Sequence, residues 1–175
     1  MSIYRSFENK VVAFTGAHGT GKTTAVYQMA HRLKKENPGK EVGVVMETAR
    51  RCPLGFLSDG RQIIDEASQR WIFAAQILAE LEAAQRYDLV VSDRTICDCI
   101  AYTILGGHHA AAMGMMGLAR AHMRVYREVR LLRIADHDRL VPDGVRNTDR
   151  RMRERMENYL MDIYRELAVP VVDGD

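Results

Sequence analysis

The chain has little with which to build a cross-linked or membrane-bound protein. Its 175 residues hold three cysteines, Cys52, Cys97 and Cys99. That odd number, without a C-x-x-C pair, excludes a disulfide framework. Cys97, Cys99 and the His108–His109 pair lack zinc-ligand spacing, so these thiols are expected to pack as small side chains on a helix. No apolar run can span a bilayer: the longest, Ala110–Ala119, is short and broken by glycine. Met1–Lys10 has no apolar signal-peptide core, which points to the cytoplasm and to no membrane partner. Repeats, low-complexity tracts and linkers are also missing, so residues 1–175 are expected to form one domain. A net charge of +2 leaves nucleic acid out as an obligatory partner. Lysine disappears after Lys40, and every later basic residue is arginine. Arginine suits bidentate phosphate contacts; a biased genomic base composition yields the same pattern, so only position separates the two.

What is present begins with Gly16-Ala-His-Gly-Thr-Gly-Lys-Thr23, a full match to G-x-x-x-x-G-K-[ST]. Gly16, Gly19 and Gly21 let the backbone curl, with His18 and Thr20 between them, so that successive N–H groups point around a phosphate. Lys22 supplies a point charge for the β- and γ-phosphates. The Thr23 hydroxyl can ligate Mg²⁺, and Thr24 adds a donor at the same helix start. The flanks agree: Val11–Phe14 is a short apolar run suited to a buried parallel strand. Thr23–Lys35 has no Gly or Pro and repeats Val26, Met29, Ala30 and Leu33 at helical spacing. The helix N-terminus then faces the phosphates.

Further along, the pattern predicts strands at Lys10–Thr15, Glu41–Glu47, Asp88–Asp93, Glu128–Ile134 and Pro170–Val172. A long helix is expected to bury Ile63, Ala67, Trp71, Ala74, Leu78 and Leu81, which recur at heptad-like spacing. Ile96–Arg127 reads as helical with breaks at Gly106-Gly107 and Gly114, and Met113, Met115, Met116 and Met123 as core packing. Asn147 or Thr148 would cap a last helix whose Met152, Met156, Tyr159, Leu160, Ile163 and Leu167 face the core. Strands alternating with helices imply an α/β fold, here a three-layer sandwich on a five-stranded parallel sheet.

In such sheets ligands sit beyond the carboxyl ends of the strands. Asp93 ends an apolar strand, as a Walker-B carboxylate that holds Mg²⁺ does. Arg94 follows beside the transferred phosphate or the acceptor. Glu47 ends the second strand, opposite Asp93 across the glycine loop, and either Glu47 or Asp93 is expected to accept the proton of a reacting hydroxyl. Arg50 and Arg51 come one turn later and are candidates to contact acceptor or phosphate. Arg139, Arg146, Arg150, Arg151, Arg153 and Arg155 crowd an arginine-rich lid at about 135–150 and the helix behind it. One or two of them are expected to neutralise charge on the γ-phosphoryl group.

With these residues in place the chain resembles the P-loop kinases of nucleosides and nucleotides, and among them the ribosylnicotinamide-kinase-like group, over residues 10 to 173. Glu47-Thr-Ala-Arg50 is similar to the Glu-x-x-Arg after the second strand of such kinases, and Asp93-Arg94-Thr95 to their Asp/Glu-Arg-Ser signature. Gln69 and Gln76 resemble acceptor-contacting glutamines of the preceding helix. Asp143-Gly144-Val145-Arg146 resembles an Asp-Gly-x-Arg lid element, although Arg139-Leu-Val-Pro142 lacks the Pro-Trp that precedes it in that group. The resemblance implies the P-loop NTPase fold and an ATP- and Mg²⁺-dependent kinase acting on a small acceptor, with a homodimer left open. A partner-coupled P-loop ATPase switch is the competing expectation.

Overall fold

The computed structural model of the chain describes residues 7–55, 63–134 and 150–174. Five strands, β1 (Val11–Thr15), β2 (Val42–Val45), β3 (Leu89–Asp93), β4 (Tyr126–Leu131) and β5 (Val171–Asp173), form one sheet. All pairings are parallel, in the order β2-β3-β1-β4-β5. Between them run α1 (Lys22–Glu36), α2 (Glu66–Arg86), α3 (Ile96–Leu105), α4 (His109–His122) and α5 (Arg150–Glu166). Lid residues 135–149, including Arg139, Asp143 and Arg146, and the expected cap at Asn147 or Thr148 lie outside the described residues.

Alternation along the central strands makes the layers. Val12 and Phe14 of β1 and Leu89 and Val91 of β3 turn to one face, where α1 covers them with Val26, Met29 and Leu33. Val11, Ala13 and Val90 turn to the other, against α2, α3 and α5 through Phe73, Ile100, Leu160 and Tyr164. Ser92 follows Val90 to that second face and Asp93 follows Val91 to the first, an alternation that matters for the site.

Several sequence expectations need correction. The inward face of α2 is not the predicted apolar stripe: Leu78 is 58% exposed, and Ile63 precedes the helix. Ser68, Gln69, Ile72, Phe73, Gln76, Glu80, Ala83 and Ala84 are buried instead. Hydrophobic periodicity caught only the flank of that face, with Trp71 and Leu81 half-buried against the core, because half of the inward residues are polar. Gln76 and Glu80 among them are bonded to Thr48, Ser92, His122 and Tyr126. Gly114 does not break α4, since Ala112, Met115 and Ala119 anchor both its sides. Met113 is 77% exposed rather than in the core. Gly106-Gly107 does end α3, with Gly107 in the left-handed region. The helical pattern stops at His122, a 3-10 turn follows, and β4 starts at Tyr126, two residues before the expected strand. β4 carries a register shift beside β1 there.

Candidate functional site

The glycine loop runs from β1 into α1 in the geometry its spacing predicts. Gly16 has φ 135, and a Cβ there would overlap the Leu132 carbonyl oxygen at the end of β4. Gly21 (φ 84) stands at the N-cap of α1 with no side-chain cap, and no acidic residue enters the first turn. The first helical N–H groups are thus left for a ligand, and the helix dipole favours an anion. Lys22 is buried, its Nζ donating to the carbonyls of Gly16 (3.0 Å) and Ala17 (2.5 Å) and reaching Thr20 Oγ1 (3.4 Å). Burial first, then the charge of Arg94, pulls its pKa from 10.5 down to about 7, against the acidic neighbours Asp98, Asp93 and Glu47. The imidazole Nδ1 of His18 lies 3.5 Å from Tyr102 Oη, and the His18 carbonyl accepts from Arg153 Nε of α5 at 3.0 Å. The helix that follows residues 135–149 therefore touches the glycine loop directly.

Opposite stand the two predicted carboxylates. Thr23 Oγ1 donates to Asp93 Oδ2 at 2.6 Å, joining the first turn of α1 to the end of β3. Glu47 Oε1 accepts from Arg94 Nε at 2.7 Å and its Oε2 from Arg50 Nε at 3.0 Å. Arg94 adopts φ 87, a backbone state that costs a non-glycine residue about 1–3 kcal/mol. Its guanidinium also donates to Asp98 Oδ1 (3.1 Å) and lies 5.5 Å from the Tyr102 ring centroid. Burial opposes the Arg94 charge, but Tyr102, Glu47 and Asp98 hold it, and its pKa stands well above the ordinary arginine value. Asp98 is fixed in turn by the Thr95 capping box of α3 and by Thr15 Oγ1 (2.9 Å).

Gly19, Gly21, Lys22, Thr23, Thr24, Glu47, Asp93 and Arg94 line one cavity of about 260 Å³. A second cleft of about 810 Å³ shares Gly21 and Thr24 with it. It runs along Gln28, Met29 and Arg32 of α1 to Leu132–Ile134 and Asp173–Gly174. The structure thus brings the sequence-predicted Lys22, Thr23, Glu47, Asp93 and Arg94 to one cavity. Arg50 stands at the exposed side of Glu47. Gln76 lines neither cavity; it is 1% exposed and engaged behind the site. Asp98, Tyr102 and the role of Arg153 were missed; the Thr95-x-x-Asp98 spacing is a capping signal that points to Asp98. Cys97 and Cys99 are buried, and burial first, then Asp98, pushes both thiols up. Among the described residues no group of three His, Cys, Asp or Glu could hold a metal, and no helix is long and apolar enough to cross a membrane.

A family model described as an AAA domain matches residues 11–174. Among curated proteins, no sequence is significantly similar. Thymidylate kinase from Ehrlichia chaffeensis superposes with a TM-score of 0.65 at 17% identity, covering 93% of this chain and 91% of its own. The NadR protein in complex with NR gives 0.67 at 17% identity over 95% of this chain, which spans only 45% of that longer one. Deoxyadenosine kinase from M. mycoides gives 0.58 at 14% identity, covering 94% and 90%. At these identities the likeness is one of fold.

Proposed function

The chain belongs to the AAA domain family and has the fold of the P-loop nucleoside and nucleotide kinases, and on that premise we propose that it transfers the γ-phosphoryl group of ATP to a nucleoside or nucleotide. The observation that carries this reading is the Glu47–Arg94 ion pair across one small cavity from the Thr23–Asp93 pair. The second carboxylate offers the proton of an incoming nucleophile an acceptor, and its arginine offers the transferred group a cation. Here Glu47 can accept the proton of an incoming hydroxyl as the hydroxyl oxygen bonds to the γ-phosphorus and the β–γ bridging oxygen leaves with ADP, while Arg94 lies beside the transferred group.

The donor's phosphates lie on the Gly16–Thr24 amides with Lys22 turned from the loop carbonyls onto them. Its base and ribose take the larger cleft, where Met29, Leu132 and Ile134 offer apolar contact and Gln28, Arg32 and Arg133 polar contact. Mg²⁺ would be held by Thr23 and Asp93, hard oxygen donors that suit a cation keeping phosphate and water as its other ligands. When bound it draws charge from the phosphate oxygens. Tyr102 and Asp98 keep the Arg94 guanidinium in its plane, and Arg153 holds the outer loop. Arg146 is the lid arginine proposed to reach the phosphoryl group. We place the enzyme in the cytoplasm.

Incubation with γ-labelled ATP and a panel of nucleosides and nucleotides tests the proposal. Label is expected in an acceptor, and Glu47→Gln is expected to lower kcat about 100-fold or more, the range for loss of a general base. Release of free phosphate alone across the panel would overturn the kinase in favour of the ATPase switch.

A further inference from the structure

The polar inward face of α2 converges on one carboxylate, Glu80, which is 0% exposed. Its Oε1 accepts from Gln76 Nε2 (2.9 Å) and Ser92 Oγ (2.9 Å). Its Oε2 takes Tyr126 Oη (2.8 Å) and lies 2.7 Å from His122 Nε2. Four partners from α2, β3, α4 and β4 thus meet a group with no contact to either cavity. So much polarity in a core layer has a cost unless the pairs specify something.

The hydrogens show what is specified. A carboxylate only accepts, so it turns the Gln76 NH₂ toward itself and the Gln76 Oε1 away. That oxygen then accepts from Thr48 Oγ1 (2.8 Å), the residue after Glu47. Gln76 Nε2 also reaches Ser92 Oγ at 3.0 Å. The single Ser92 hydrogen is shared between Glu80 Oε1 and the Arg94 carbonyl, each 2.9 Å away, and the Gln76 Nε2 hydrogen that points to Ser92 also faces that carbonyl at 3.4 Å. That carbonyl is turned back into the helix layer because Arg94 is left-handed, and the same turn aims its side chain at Glu47 and Asp98.

We propose that Glu80 is a positioning residue for phosphoryl transfer, acting through Gln76 and Ser92 on the Arg94 backbone and through Gln76 and Thr48 on Glu47. It touches neither donor nor acceptor. The role in catalysis rests on the kinase reading; the hold on Arg94 does not.

The test compares the full chain with Ser92→Ala, Glu80→Leu and Glu80→Gln. Ser92→Ala removes only the hydroxyl between Glu80 and the Arg94 carbonyl. Two properties are read: steady-state kinetics with affinity for Mg²⁺ and a non-hydrolysable ATP analogue, and water exchange of the Arg94 Nε–H in proton–nitrogen NMR, its signal identified by loss in Arg94→Lys. In Ser92→Ala, kcat is expected to fall about tenfold with analogue affinity within about twofold. The Arg94 Nε–H is expected to exchange about tenfold faster as it loosens from Glu47. Glu80→Leu should do more, and Glu80→Gln, which keeps an acceptor oxygen toward Gln76 and Ser92, should recover to within about threefold of wild type. Unchanged kcat and exchange in Ser92→Ala would overturn the proposal. So would equal losses of analogue affinity and kcat, which assign the network to folding alone. If Glu80→Leu does not fold, Ser92→Ala still decides. If the wild type phosphorylates no acceptor, the kinase reading fails while the exchange rate still tests the hold on Arg94.

Discussion

Lys22 carries the sharpest consequence of a single residue's surroundings. With its pKa pulled down to about 7 by burial and by Arg94, the amine loses its proton in the free protein just where cells operate. An unfolded chain would keep that proton up to 10.5, so this group makes the free protein more stable as pH rises from about 7 toward 10.5. Phosphate reverses the preference, because an anion beside the amine restores the charged form. Binding of the Mg²⁺-bound nucleotide at pH 8 is therefore expected to take up close to one proton, and affinity to fall with each pH unit above 7 by up to about tenfold. Calorimetry in buffers of different ionisation enthalpy measures the uptake, and Lys22→Met should abolish it. No uptake in the wild type would mean that Lys22 is already charged in the free loop. Arg94 shows the opposite balance, since its partners outweigh burial. Arg94→Ala leaves Glu47 and Asp98 without their shared cation, and a loss of about 3–5 kcal/mol in stability is expected, read from urea unfolding.

Among the elements, α2 and α3 show why part of the site was legible and part was not. The glycine loop, Asp93 and Glu47 could be read from the sequence because each is a local feature: fixed spacing, or an acid ending an apolar run. The inward face of α2 could not. Reading it required knowing that Gln76 and Glu80 meet Ser92, His122 and Tyr126, residues 12 to 46 positions away. Hydrophobic periodicity treats a buried Glu as solvent-facing and Leu78 as core, and here both assignments invert. The left-handed backbone of Arg94 is equally silent in sequence, since only the sheet and α2 together hold it. The inversion is testable on folding alone. Phe73→Ala should cost about 3–5 kcal/mol as a core truncation, whereas Leu78→Gln should stay within about 0.5 kcal/mol. Comparable losses in the two variants would restore the face predicted from periodicity. In α3, the Thr95–Asp98 box ties helix formation to the site, so the element that caps the helix also seats the arginine.

At the scale of the whole molecule, strand order decides what nucleotide binding can transmit. β1 lies between β3 and β4, and the glycine loop leaves its end, so the loop is braced by the strand that carries Asp93 and by Leu132 beyond β4. β5 is a three-residue edge strand with Val172 43% exposed, and β2 is the other edge. Amide hydrogen exchange in the free protein should therefore be slowest at Val12, Phe14 and Val90 and fast at Val172, because edge strands open at lower free energy than central ones. Nucleotide at about 100 times its Kd adds about 2.7 kcal/mol to global stability by mass action, and its local pattern should follow the bonds that reach the loop. Protection is expected to rise in the glycine loop, the first turn of α1 and the first turns of α5, because Arg153 donates to the His18 carbonyl. The outer turns of α4, which touch neither cavity, should change only as global stability does. Mass-spectrometric exchange with and without the Mg²⁺-bound analogue resolves these segments. If α5 behaves like α4, Arg153 is a packing contact; if α5 is protected with the loop, that helix receives the presence of nucleotide through one arginine, and Arg153→Met should remove that protection while leaving the loop's own.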